Sequence, residues 1–136
     1  MQTQIKLRFY DDKRKRLTDV ISVDWEKGIV VCLYGGQVWI SLIEHGHLLQ
    51  YTGLKDKHGK KIAQADIVKD QFGILCEVGF GEFADTKGHV QYGFYLYDFA
   101  DKINRGNMGY DVTKSCPLEV IGNRYDNPEL LQRDSL

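Results

Sequence analysis

Few residues in this chain have the type and spacing that chemistry needs. His45 and His47 stand two apart beside Glu44. On a strand, residues two apart share a face, so a His-x-His pair can grip a metal. A catalytic zinc site also wants a third ligand and an open position. On such a strand Glu44 would face the other way, and Gly46 weakens the strand itself, so two solvated loop histidines is the plainer reading. Cys32, Cys76 and Cys116 are widely spaced, odd in number and contain no Cys-x-x-Cys pair. A cysteine nucleophile needs a nearby base and an orienting group, and nothing in the spacing points to either. Three buried free thiols in a reducing compartment are expected instead. Asp11 and Asp12 are adjacent, not opposed, which suits a turn better than an acid–base pair. Gly35-Gly36 and Gly79-Phe80-Gly81 lack the following helix and Gly-Lys-Ser/Thr of a phosphate loop, and read as turn glycines. No catalytic, cofactor-binding or metal-ligating residue is assigned, and the chain is expected not to be an enzyme.

Nucleic-acid binding has two basic runs to draw on, Lys13–Arg16 and Lys55–Lys61, with Tyr10, Tyr51, Tyr92, Tyr95 and Tyr97 as stacking platforms. Against it, 18 Lys and Arg oppose 19 Asp and Glu for a net charge of −1, which exerts no general pull on phosphate or on an anionic membrane. The second run is also interleaved with Asp56 and His58. Solvated charged turns are the simpler account, with tyrosines filling a core and their hydroxyls at its rim.

The elements that must position these residues are short strands. With 136 residues and 43% apolar content, the chain can bury a core as one domain. Its apolar runs are too short to span a bilayer, and the opening residues lack the apolar stretch of a signal peptide, so a cytoplasmic location is expected. Ile5–Phe9 alternates in the period of a half-buried strand, and Asp11–Arg16 is a charged turn. Val20–Trp25 is a second strand. Ile29–Tyr34 is apolar on both faces, the mark of a central strand, and Gly35-Gly36 joins it to Gln37–Leu42 as a hairpin. Further strands are expected at Leu48–Thr52, from Asp66, at Ile74–Phe80, at Tyr92–Tyr97 and at Leu118–Gly122, with an irregular loop over Ile103–Gly109. Asn127 as cap, Pro128 at the first position and Glu129 behind it predict one short C-terminal helix from which Leu130 and Leu131 pack down.

Three segments carry a resemblance: QYTGLKDKHGKKIAQADIV over Gln50–Val68, LEVIGNRYDNPELL over Leu118–Leu131, and more weakly the opening IKLRFYDDKRKRL. Together they resemble the YopX family of phage and prophage proteins, and their positions extend the resemblance over the whole length. His58 stands where Asn is usual, Ala63 where an aromatic is common, and Ala65 where Gly is common. The pattern reads as Thr52-Gly53 bending the chain, His58-Gly59 closing a hairpin and Asp66-Ile67-Val68 beginning a strand.

The resemblance implies a bacterial host cytoplasm and no assigned activity. The expected fold is mainly β, an SH3-like partly open barrel with an N-terminal β-hairpin extension and one short C-terminal helix. It forms a single domain over 1–136, with a sub-division into a 1–49 arm and a 50–136 barrel as the alternative. The expected function is that of a non-catalytic accessory protein acting through a host or phage protein partner or through homo-oligomerisation by its N-terminal strands. Nucleic-acid binding through the basic turns and surface tyrosines is the alternative.

Overall fold

A computed structural model describes residues 6–84, 87–107 and 117–132. They are mainly β, arranged as antiparallel strands in two sheets that do not close. The chain divides into two compact units, Met1–Tyr51 and Thr52–Leu136. No helix among the described residues is long and apolar enough to cross a membrane.

The first unit holds β1 (Leu7–Asp11), β2 (Arg16–Asp24), β3 (Ile29–Tyr34), β4 (Gln37–Leu42) and the start of β5 (Gly46–Lys55), in the order β4-β3-β2-β1-β5. β3 and β4 have the bounds that the sequence pattern predicts. Gly35 (φ 57°) and Gly36 (φ 80°) both take the left-handed conformation that a two-residue turn needs to match strand twist, which pins Tyr34 opposite Gln37. β1 runs on to Asp11 opposite Arg16, so the charged turn is shorter and β2 longer than expected. The expected start at Ile5 lies outside the described residues. Phe9, Val30 and Cys32 are buried, with Val20, Val23, Trp39, Ile43 and Leu48 packed on them. β3 sits inside the sheet, the central place its apolar run suggests, with Val30 and Cys32 buried on one face and Ile29, Val31 and Leu33 half-buried on the other.

The second unit takes up the end of β5 from Thr52, including Gly53 (φ 85°), and β6 (Lys61–Ala63) beside it in the strand order. It continues with β7 (Asp66–Lys69), β8 (Leu75–Ala84), β9 (Val90–Asp98), β10 (Ile103–Asn107) and β11 (Glu119–Asn123), ordered β10-β9-β8-β7-β11. Ile62, Val68, Cys76, Val78, Leu96 and Leu118 form its core.

Three expectations are corrected here. Residues Ile103–Asn107 are a strand, not an irregular loop, because β9 supplies the ladder that their polar sequence does not announce; residues 108 and 109 lie outside the described chain. The C-terminal helix is a five-residue 3-10 turn, Pro128–Gln132. The Asn127 side-chain oxygen, expected to cap it, accepts instead from the Asn123 N–H at 3.2 Å. On β9 the buried positions are Leu96 and Asp98, while Tyr95 and Tyr97 are half-buried and Tyr92 is exposed. The tyrosines therefore do not fill the core.

Candidate interaction surface

The two histidines do not share a strand face. His45 ends a single 3-10 turn, Ile43–His45, and His47 lies in β5. Each sits near a carboxylate, His45 Nε2 at 3.8 Å from Glu44 and His47 Nε2 at 3.9 Å from Asp12. Among the described residues no group of three or more His, Cys, Asp and Glu could hold a metal. Cys32 and Cys76 are buried free thiols, and Cys116 lies outside the described residues. Burial pushes the Cys32 thiol above its ordinary range against a hydrogen bond with Thr18, with the Asp11 charge adding to the rise. Such a thiol stays protonated and is a poor nucleophile.

Asp11 proves to be the polar centre of the first unit, although its adjacency to Asp12 suggests only a turn. Its side chain is 1% exposed. Oδ1 accepts from the backbone N–H groups of Lys13 and Arg14, at 3.0 and 3.1 Å. Oδ2 accepts from Ser41 Oγ at 2.6 Å, Arg14 Nη1 at 3.0 Å and Trp39 Nε1 at 3.3 Å. Burial acts to raise the carboxyl pKa. The hydrogen bond from Ser41, with those from Arg14 and Trp39, outweighs burial and holds the value at about 2. The bonds to Lys13 and Arg14 belong to an Asp-initiated turn and are legible in sequence. Those to Trp39 and Ser41 need β4 brought alongside, which no local signal announces. All five donors face a carboxylate that leaves no room for a substrate, so the group secures β4 to the β1–β2 turn.

The two strongest family-like segments meet in the second unit. β7 pairs with β11, and Lys57 N–H donates to the Leu118 carbonyl at 2.9 Å. Asp56 joins them: Oδ1 accepts from the N–H groups of His58 and Lys60, and Oδ2 from that of Val120, all at 2.8 to 2.9 Å. Burial would raise the Asp56 pKa, but the Val120, Lys60 and His58 bonds hold it below the ordinary value. Ala65, where the family commonly has Gly, has φ 75°, and its N–H and carbonyl bond to Val78 and Arg124. The motif therefore encodes a junction of turns. Its basic run is partly neutralised, since Lys57 and His58 lie 3.7 and 3.6 Å from Glu119, which Lys69 of β7 also approaches at 3.8 Å.

Beside its charged turns, the first unit also offers an apolar face to solvent. Val38, Ile40 and Leu42 of β4 are 58%, 64% and 38% exposed. They pair with half-buried Leu33, Val31 and Ile29 of β3, so the outward faces of both strands form one apolar stripe. Ile21, beside the register shift in β2, and Trp25, just past its end, are exposed as well. Trp25, Leu42 and Ile43 line an open cleft of about 490 Å³. Apolar residues exposed singly are ordinary, whereas large contiguous patches occur at interaction sites, ligand grooves and aggregation-prone surfaces. A second cleft, of about 500 Å³, is lined by Arg14, Arg16, Tyr34 and Trp39. In it the Arg14 guanidinium lies over the Trp39 ring at 4.7 Å and that of Arg16 over Tyr34 at 4.8 Å.

The model of the YopX protein family matches residues 3–132 of the chain. No curated protein sequence matches. Among solved structures, the chain is similar to the crystal structure of protein EF1440 from Enterococcus faecalis, with a TM-score of 0.54 at 20% identity over 96% of this chain and 99% of that one. At that identity the likeness concerns the fold.

Proposed function

The chain belongs to the YopX protein family, and from that premise we propose that it is a non-catalytic phage or prophage accessory protein that acts in the bacterial cytoplasm by binding protein. The observation that carries this reading is the outward stripe of Val38, Ile40 and Leu42 on β4. Fully burying such an aliphatic side chain is worth about 1.5–3 kcal/mol, and a partner that covers these three, now 38–64% exposed, gains a corresponding part of that from each. The chemistry-bearing residues add support in another way. Asp11 and Asp56 are saturated by donors from their own chain, and Cys32 is held as a thiol.

The test is affinity capture of the tagged protein and of its Ile40→Lys variant from the host after prophage induction, run with and without nuclease. A protein recovered with the parent and lost with the variant supports the reading. Equal recovery with both would remove β4 from it, and recovery that vanishes with nuclease would favour a second reading.

That second reading is single-stranded nucleic-acid binding in the cleft of Arg14, Arg16, Tyr34 and Trp39, where exposed Arg16 could meet phosphate and the rings could stack on bases. It predicts oligonucleotide binding that weakens steeply with salt and is lost in Arg16→Ala.

A further inference from the structure

Resting on the protein-binding reading, we propose that the partner of β4 is β4 of a second copy, paired antiparallel about a two-fold axis at Ile40. Edges are where sheets join, and proteins that stay single blunt them with charge, brevity, bulges or proline. Among the described residues, the other strands that end a sheet carry such devices. β6 is three residues long and opens on Lys61. β10 has a register shift, and β11 opens on Glu119 and is also shifted. β4, Gln37–Leu42, has none: six residues in unbroken register with β3, no charge and no proline.

The register follows from the hairpin. Its two-residue turn makes Tyr34 and Gln37 a hydrogen-bonded pair, so Trp39 and Ser41 also turn their backbone groups toward β3. Val38, Ile40 and Leu42 then direct theirs to the open side. A second β4 running the other way can use those groups with Ile40 exchanging both bonds with Ile40, and Val38 with Leu42. Directly opposed residues share a face, so the aliphatic stripes of the two copies become continuous, and Trp39 stands opposite Ser41 on the other side. With no charge on the strand, two identical copies meet no like-charge repulsion at the axis. An interface of one strand pair is small, so the dimer is reversible and its mass depends on concentration.

The test is sedentation-based mass measurement over a concentration series, that is, analytical ultracentrifugation, on the parent, Ile40→Lys, Ile40→Glu and their mixture. Circular dichroism checks that each is folded. The parent is expected to pass from one to two chain masses. Each charged variant, with like charges opposed at the axis, is expected to weaken the dimer by at least about tenfold. The mixture is expected to restore it, because only a register that sets position 40 against itself places the two opposite charges in contact. A parent that stays monomeric, variants that dimerise as well as the parent, or a mixture that restores nothing would each overturn the proposal. A monomeric parent whose captured protein is still lost in Ile40→Lys would leave the protein-binding reading standing and assign the edge to a different chain.

Discussion

Asp11 gives the sharpest test of how the first unit is held. Its carboxyl pKa is lowered from 3.8 to about 2. Nearly two units, at a little over 1 kcal/mol each, make about 2–3 kcal/mol of stability tied to its charge. Because the folded value is the lower one, this contribution is complete above the unfolded value and is lost as the pH falls through the folded value, between about pH 5 and pH 2. Asp11→Asn keeps the shape, removes the charge and sets an amide against donors from Ser41 and Arg14. The expected loss at pH 7 is about 2–4 kcal/mol. Urea titration followed by tryptophan fluorescence reads this unit, since both tryptophans, Trp25 and Trp39, lie in it and the Trp39 indole touches the carboxylate. The gap between parent and variant should be widest near pH 7 and narrow steadily toward pH 2. A gap that stays constant with pH, or an Asp11 resonance titrating near 3.8, would refute the reasoning.

Other perturbations follow from single contacts. Asp56→Ala strips the acceptor from three backbone N–H groups and should destabilise the second unit by about 3 kcal/mol, with Asp56→Asn recovering part of it; an unchanged thermal midpoint would contradict this. Gly46 has extended backbone, but a Cβ there would meet the Tyr10 carbonyl and the Phe9 ring. Gly46→Ala should therefore lower stability by about 1–3 kcal/mol, read by the same fluorescence titration, and a neutral result would mean that β5 can shift. Ala65→Gly relieves a left-handed residue of about 1–2 kcal/mol, against about 0.5–1 kcal/mol of added chain entropy. The variant should unfold at a temperature no lower than the parent's, and a clear drop would show that the methyl matters more than the backbone.

The sequence by itself determined what local chemistry decides. Two adjacent glycines must form the β3–β4 turn, and Asp11 must cap the turn that follows it. The motif around Asp56 must fold back at Gly59, which has φ 84°. Polar Ile103–Asn107 is a strand only because β9 lies beside it, and the five-residue Pro128 turn lacked the length to become an α-helix. Tertiary structure alone joined Asp11 to Ser41, 30 positions away, and Asp56 to Val120, 64 positions away, since a carboxylate's distant donors leave no trace in its own neighbourhood. It also decided the fate of Ile29–Tyr34. An apolar run is equally compatible with cover on both faces and with one face left bare. Only the packing, which buries Val30 and Cys32 in the core and leaves Ile29, Val31 and Leu33 half-buried on the other face, decides between the two; the strand order separately leaves β4 outermost.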